Sequence, residues 1–228
     1  MRTTDLLRVL QFGDSAFPVG GFSFSNGLES AIQHGVVHDI RTLGQFVRTA
    51  VDQAATIDGI ALLVAHEAAS RSDLDAVIAA DRALMQRKLN EEMRTMTTRM
   101  GRKLAEIATH MLSATTLQRW LEGIKNGSTP GTHPVGLAIV FAELGLDAKQ
   151  AFAAHQYGIA SMMLGASLRL MRVSFMDTQV ILLEINGTAE DAYERIADSS
   201  LDHMAGFNPL ADIVAASHLH AHIRMFMN

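Results

Sequence analysis

Residues 89–111, LNEEMRTMTTRMGRKLAEIATHM, determine the fold class that the sequence predicts. Apolar residues recur in this segment every three or four positions, the spacing that places side chains on one face of an α-helix. These residues are Leu89, Met93, Met96, Met100, Leu104, Ile107 and Met111. The other positions are rich in Arg, Lys and Glu, as expected for a helix that packs on a core with one face only. We predict a long amphipathic helix whose methionines lie in the core, although thioether side chains also suit adaptable binding surfaces.

Helical patterns continue on both sides of this segment. Asp39 is a predicted cap for a helix that includes residues 43–54. Residues 179–185 have the composition of a buried strand, but no second strand is available to pair with it, so we favour a helix. The clearest break, residues 123–134, is rich in Gly and Pro and indicates a loop that is too short to link two domains. We therefore predict an all-α fold, a single-domain multi-helix bundle that spans residues 1–228.

The overall composition narrows the classes of function. The chain has 228 residues, 48% hydrophobic residues, a formal net charge of -5 and no cysteine. A negatively charged chain is not expected to bind nucleic acid or an anionic membrane, and without cysteine it has no disulfide or thiolate metal site. Asp5 and Arg8 interrupt the short apolar run at the N-terminus, and no run is long enough to span a membrane. We expect a cytoplasmic protein.

The sequence contains no pattern typical of an enzyme or of a cofactor site. The glycines near the N-terminus are not followed by the Lys-Ser or Lys-Thr of a phosphate-binding loop, and G-x-S-x-G and H-E-x-x-H are absent. Ser23 and Ser25 are the candidate nucleophiles, but Ser25 fits better as the cap of a helix that continues through Ile32 and Gln33. We expect a protein that is not an enzyme and that uses no cofactor.

A run of histidines near the C-terminus is the candidate metal site. His218, His220 and His222 form an H-x-H-x-H run on a predicted helix, with His203 upstream. His218 and His222 share one helix face, so this helix supplies at most two ligands, whereas a stable site needs about four, or three and a water. We interpret the run as a polar helix end and expect no metal site. Weak capture of a divalent ion by His218 and His222 is the alternative.

Two further features concern the packing of helices. A stripe of small residues at helical spacing permits close approach of another helix. The stripe comprises Ala151, Ala154, Gly158, Ser161 and Gly165. His133, directly before Pro134, is expected where the 123–134 loop meets the next helix.

Residues 17–29, FPVGGFSFSNGLE, form a predicted loop that leads into a helix. Pro18 fixes its own φ angle, and the pair Gly20 and Gly21 permits backbone conformations that other residues avoid. We expect Phe22 and Phe24 to point into an apolar groove. The exposed side of such a loop often carries function.

This segment resembles the opening of the UreF family of urease accessory proteins, whose pattern is close to P-x-G-x-F-x-x-S-x-G-L-E. The matching residues, with their internal spacing intact, are Pro18, Gly20, Phe22, Ser25, Gly27, Leu28 and Glu29. A weaker resemblance continues at Glu92 and Arg94 and at the C-terminus, at Arg224 and Phe226. Residues 172–178 depart from the family pattern.

The resemblance implies an all-helical maturation factor that forms a homodimer and is not an enzyme. Such a protein bridges a UreD-type accessory protein, also called UreH, and the UreG-type GTPase that delivers nickel to apo-urease, and it modulates that GTPase. The resemblance also implies that the matching residues named above form partner-binding surfaces. Two alternatives stay open: a direct nickel-binding metallochaperone that uses the C-terminal histidines, and a helical scaffold in an unrelated complex.

Overall fold

The computed structural model describes residues 1–217 and 224–226. The α-helices in chain order are α1 (Thr3–Gly13), α2 (Leu28–Gln33), α3 (Ile40–Ala54), α4 (Ile60–Ser70), α5 (Leu74–Arg87), α6 (Glu91–Met111), α7 (Thr115–Asn126), α8 (His133–Glu143), α9 (Ala148–Leu170), α10 (Phe175–Asn186), α11 (Ala189–Ile196) and α12 (Pro209–Ser217). Short 3₁₀ turns cover Gly21–Ser23 and Leu201–His203, and a π-helical segment, Ala55–Gly59, joins α3 to α4. The all-α prediction is confirmed, since the described residues contain no β-strand. None of the described helices is long and apolar enough to cross a membrane.

Side-chain caps explain where several helices begin. At the start of α3, Asp39 Oδ1 accepts the backbone N–H of Thr42 at 2.7 Å, as the sequence predicts. At the start of α6, Asn90 Oδ1 accepts the backbone N–H of Met93 at 2.8 Å. Each cap satisfies a donor that the helix itself leaves unpaired. The helix predicted from residues 89–111 is observed as α6, and the helix predicted over residues 179–185 lies within α10.

The start of α2 differs from the sequence prediction. Helix α2 begins at Leu28, and its N-cap is Gly27, whose φ of 82° favours glycine. Ser25 lies before this cap and its Oγ accepts the backbone N–H of Glu29 at 3.2 Å, so Ser25 as the N-cap is wrong. Of the two phenylalanines expected in a groove, Phe24 is buried, and Phe22 is 73% exposed at the edge of a cavity that it helps to line.

Two apolar clusters form the interior. One lies among α4 to α8 and includes the buried side chains of Leu104, Trp120 and Phe141. The other joins α2, α3, α9 and α10 and includes Leu28 and Leu43. Helix α9 contributes residues to both clusters. Because interiors are close-packed, this helix fixes the position of the helices on either side of it.

A buried aspartate organises the loop between α7 and α8. The groups that donate hydrogen bonds to the Asp81 carboxylate, at 2.6 to 3.2 Å, are Trp120 Nε1, Thr129 Oγ1, the backbone N–H of Gly131, and the N–H and Oγ1 of Thr132. Helix α6 runs against the same loop, so closely that a Cβ atom at Gly101 would overlap the carbonyl oxygen of Gly131. These contacts fix the start of α8 at His133, which confirms the predicted junction.

Candidate functional site

A cavity of about 420 Å³ opens between α3, α6, α9 and the segment from Phe12 to Asn26. We call this space the cleft. Its floor along α9 includes Gly158, Met162 and Gly165. The volume falls within the range of ligand pockets, about 300–1,000 Å³.

The methionines of α6 line the cleft instead of filling the core. Met93, Met96 and Met100 are half-buried and form its wall, whereas Leu104, further along the same helix face, is fully buried. The prediction that these methionines lie in the core is therefore wrong. Flexible, polarisable thioethers give the wall a surface that can adapt to what it contacts.

A buried ion pair lies at one end of the cleft. Lys88 Nζ donates to both carboxylate oxygens of Asp58, at 2.8 and 2.7 Å, and the two side chains are only 14% and 8% exposed. Asp58 is carried by the π-helical segment, an irregularity that is frequent at functional sites. Arg94 Nε donates to the carbonyl oxygen of Lys88 at 2.7 Å, which fixes the corner between α5 and α6.

Two neutral histidines line the cleft beside this ion pair. Burial lowers the pKa of His133 to about 3, and the neighbouring His155 lowers it further while Asp58 opposes the shift. Burial also lowers the pKa of His155 to about 4, with Asp58 again opposing. His155 Nε2 lies 4.0 Å from Asp58 Oδ1, beyond hydrogen-bond distance. The imidazoles are therefore uncharged near neutral pH.

These groups do not form a metal centre. Within residues 1–217 and 224–226, no three His, Cys, Asp or Glu side chains cluster closely enough to hold a metal ion. His218 and His222, the weak metal candidates, lie outside the described residues, as does His220. His203 is exposed, and its Nδ1 accepts the backbone N–H of Ser200 at 3.0 Å.

The C-terminal segment is attached to the 17–29 segment by a buried glutamate. Glu29, 3% exposed, accepts the backbone N–H of Met225 at 2.7 Å and that of Phe226 at 2.9 Å. The Phe226 ring is buried, and the guanidinium of Arg169 lies 4.1 Å from its centroid, which is a cation–π contact. Arg224 pairs with Glu92 at 3.1 Å. Residues from α2, α6, α9 and the C-terminal segment are thus brought together.

The structure divides the residues predicted to bind partners into two sets. The buried set comprises Ser25, Gly27, Leu28, Glu29, Glu92 and Phe226. The set that is at least partly accessible comprises Pro18, Gly20, Phe22, Arg94 and Arg224. Partner binding by either set stays a prediction. The two sets meet in the ion pair between the buried Glu92 and the accessible Arg224.

Sequence reasoning missed the residues that give the cleft its chemistry. Asp58 and Lys88 are 30 positions apart, and no local pattern links them. His155 has no motif around it, although it lies between Ala154 and Gly158 of the small-residue stripe. Arg169, with Leu170, matches the Arg-Leu pair of a partly conserved segment of the UreF pattern, but its contact with Phe226 depends on the tertiary fold.

The fold and these features define an all-helical protein with a solvent-open cleft and an exposed side on the 17–29 segment. The model of the UreF family matches residues 37–186. Urease accessory protein UreF 2 of Brucella canis is 59% identical over 223 residues, which are 98% of this chain and 92% of the relative. Urease accessory protein UreF of Yersinia pestis (strain Pestoides F) is 49% identical over 228 residues, 100% of both chains. The chain belongs to the UreF family. It is thus an accessory protein in urease maturation and not an enzyme.

Proposed function

We propose that this chain bridges a UreD- or UreH-type protein and the UreG-type GTPase during nickel insertion into apo-urease. In this proposal it acts as a homodimer in the cytoplasm and modulates the GTPase. Family membership supports the general role. One observation supports the specific role: the 17–29 segment and the C-terminal segment contact each other and form a single surface.

Arg169 connects the two parts of this surface. Its Nη2 donates to the carbonyl oxygen of Phe22 at 2.9 Å, while its guanidinium covers the ring of Phe226. The Phe22 backbone is held in this way, and its side chain remains 73% exposed. An exposed aromatic side chain on a fixed backbone loses little conformational entropy on binding and is typical of interface anchors.

Restoration of urease activity tests the proposal. A complete urease gene cluster that lacks its own UreF-type gene would be expressed with this chain, with the Phe22→Ala variant or with the Phe175→Ala variant. Phe175 is a matched control because it is also 73% exposed and lies in the segment that departs from the family pattern. We expect the unmodified chain and the control to restore activity. We expect Phe22→Ala to weaken partner binding about tenfold or more, as removal of an interface anchor does.

This experiment tests the proposed function and the proposed partner surface separately. If the unmodified chain restores no activity with partners from the same source, the proposed function is wrong. If Phe22→Ala and Phe175→Ala perform equally well, the maturation role stands but the 17–29 segment is not the partner surface.

A further inference from the structure

Helix α9 contains two glycines that the chain itself does not require. A Cβ atom at Gly158 or at Gly165 would meet nothing within 4 Å, and neither residue has a positive φ. A glycine inside a helix costs about 1 kcal/mol relative to alanine. Gly101 of α6 shows the contrast, because there a Cβ would overlap the carbonyl oxygen of Gly131. Internal packing explains Gly101 but not Gly158 or Gly165.

Both glycines lie on the floor of the cleft. From Ala154 to Arg169, α9 lines the cleft over 16 residues, a rise of about 22 Å at 1.5 Å per residue. The opposite wall carries the half-buried methionines of α6. A trough of this length, with a flat glycine floor and an adaptable wall, matches one face of a helix of about four turns, and its volume of about 420 Å³ holds the side chains of that face only.

The polar end of the cleft has hydrogen-bonding groups without partners. His155 is 4% exposed, and among the described residues its Nε2 has no hydrogen-bond partner. Its Nδ1 faces the side-chain amide of Gln156 at 3.4 Å. The ring of His133 also has no hydrogen-bond partner in the described part of the chain. His155 Nε2 and the ring of the half-buried His133 are therefore available to hydrogen-bond a polar group that enters the cleft.

The ionic side chains around the cleft indicate the charge of its occupant. Asp58 and Lys88 neutralise each other. Arg87 and Arg169 donate hydrogen bonds only to backbone carbonyl oxygens, and neither has a carboxylate partner among the residues described. Against these two cations the lining offers one further carboxylate, that of Asp14. The rim is therefore cationic in a chain whose net charge is -5.

We propose that the cleft receives an amphipathic helix of a partner protein, with its apolar face against Gly158 and Gly165 and acidic side chains near Arg87 and Arg169. A hydroxyl or amide side chain of that helix hydrogen-bonds His155. This inference rests on the proposed function, since the partner is one of the proteins that this chain assembles with in urease maturation.

Thiol labelling tests the proposal directly, because the chain has no cysteine of its own. Gly158→Cys places a thiol in the cleft, and Ala153→Cys places the matched control at an exposed position of the same helix. Each full-length variant would be labelled with N-ethylmaleimide, alone and with the purified accessory proteins and apo-urease of the same gene cluster. At a partner concentration ten times the Kd, we expect labelling of Gly158→Cys to slow about tenfold and that of Ala153→Cys to stay unchanged.

A second variant separates binding from folding. Gly158→Leu places a side chain in the cleft, at a position where a Cβ atom meets nothing within 4 Å, and replaces glycine with a better helix former. We expect it to unfold at the same or a higher urea concentration than the unmodified chain, yet to lose association with the partner. Association should also weaken as ionic strength rises, since the rim and the bound helix carry opposite charges.

Four results would overturn the inference. If a complex forms while Gly158→Cys is still labelled at the rate of the unbound chain, the cleft is not the docking site, although the proposed function stands. The same conclusion follows if Gly158→Leu binds the partner with full affinity. Protection of Gly158→Cys that rises with the concentration of this chain alone assigns the cleft to a second copy. If no partner binds the unmodified chain, the proposed function and this inference fail together.

Discussion

Replacement of Asp81 by asparagine tests the account of the loop that positions His133. The side chain keeps its size, but one carboxylate oxygen becomes an NH₂ group, which donates hydrogen bonds and cannot accept them. Oδ1 accepts the N–H and the hydroxyl of Thr132, and Oδ2 accepts Trp120 Nε1, the Gly131 N–H and the Thr129 hydroxyl. In either orientation of the amide, the NH₂ group therefore faces at least one N–H that cannot turn away.

The geometry sets the expected loss of stability. The less costly orientation places the NH₂ group at the Oδ1 position, where the Thr132 hydroxyl can rotate and accept but the Thr132 backbone N–H loses its acceptor. An unsatisfied buried N–H costs about 1–3 kcal/mol, and the remaining bonds weaken because their acceptor is no longer charged. Relief from burying a charge offsets part of this. We expect Asp81→Asn to lower the free energy of unfolding by about 3 kcal/mol.

Urea unfolding, followed by far-UV circular dichroism, measures this difference. The control is Asp198→Asn, an exposed carboxylate for which we expect a change within about 0.5 kcal/mol. The m-value should stay constant, since both variants unfold the same surface. A loss below about 1 kcal/mol for Asp81→Asn would refute the reasoning, because it would mean that the charge is not what holds the loop.

Two further predictions concern the C-terminal segment and the buried histidines. In Glu29→Gln, one of the two backbone N–H groups at Met225 and Phe226 loses its acceptor. Amide hydrogen exchange at both residues should therefore accelerate about tenfold or more. The exposed control Glu91→Gln should leave the exchange rates unchanged. Equal exchange in both variants would show that other contacts hold the segment. The pKa values of His133 and His155 are lowered from 6.5 to about 3 and about 4, so below about pH 6.5 the unfolded chain binds more protons. As the pH is lowered from about 6.5 to about 4, the free energy of unfolding measured in urea should decrease by up to about 1.4 kcal/mol per pH unit for each histidine. The decrease should be less steep in His155→Gln. An unchanged slope in that variant would contradict the assignment.

Periodicity and capping predicted the helices because both are local properties. The spacing in residues 89–111 identified α6, and Asp39 identified the start of α3, since each signal lies within one element. The exact start of α2 was missed because the left-handed φ of Gly27 moves the cap two residues past Ser25. The prediction that the methionines lie in the core was wrong for a different reason. Periodicity identifies the apolar face of a helix but does not show whether another helix covers it.

The cleft could not be predicted for the same physical reason. Its ion pair joins Asp58 to Lys88, and its histidines come from α8 and α9, so the site exists only after distant segments pack together. The small-residue stripe predicted close approach of another helix, but within the described chain Gly158 and Gly165 face open space. The prediction is confirmed at Ala154, whose Cβ lies so close to Gly13 of α1 that a Cβ atom there would meet it at 3.3 Å. At Gly158 and Gly165 the predicted contact needs a partner from outside the described chain, which is what the labelling experiment examines.

Internal contacts also explain which residues of the 17–29 segment the fold requires. Glu29 has to present two acceptors to successive backbone N–H groups. Gly27 has to adopt a positive φ, and a Cβ atom added at this position would meet Ala215 at 3.3 Å. Phe22 is different, because only its backbone carbonyl takes part in the network while its ring is 73% exposed. A smaller side chain would leave the hydrogen bond to Arg169 intact. We predict that the aromatic ring at this position serves a contact with a partner, so Phe22→Ala should reduce partner binding without reducing stability.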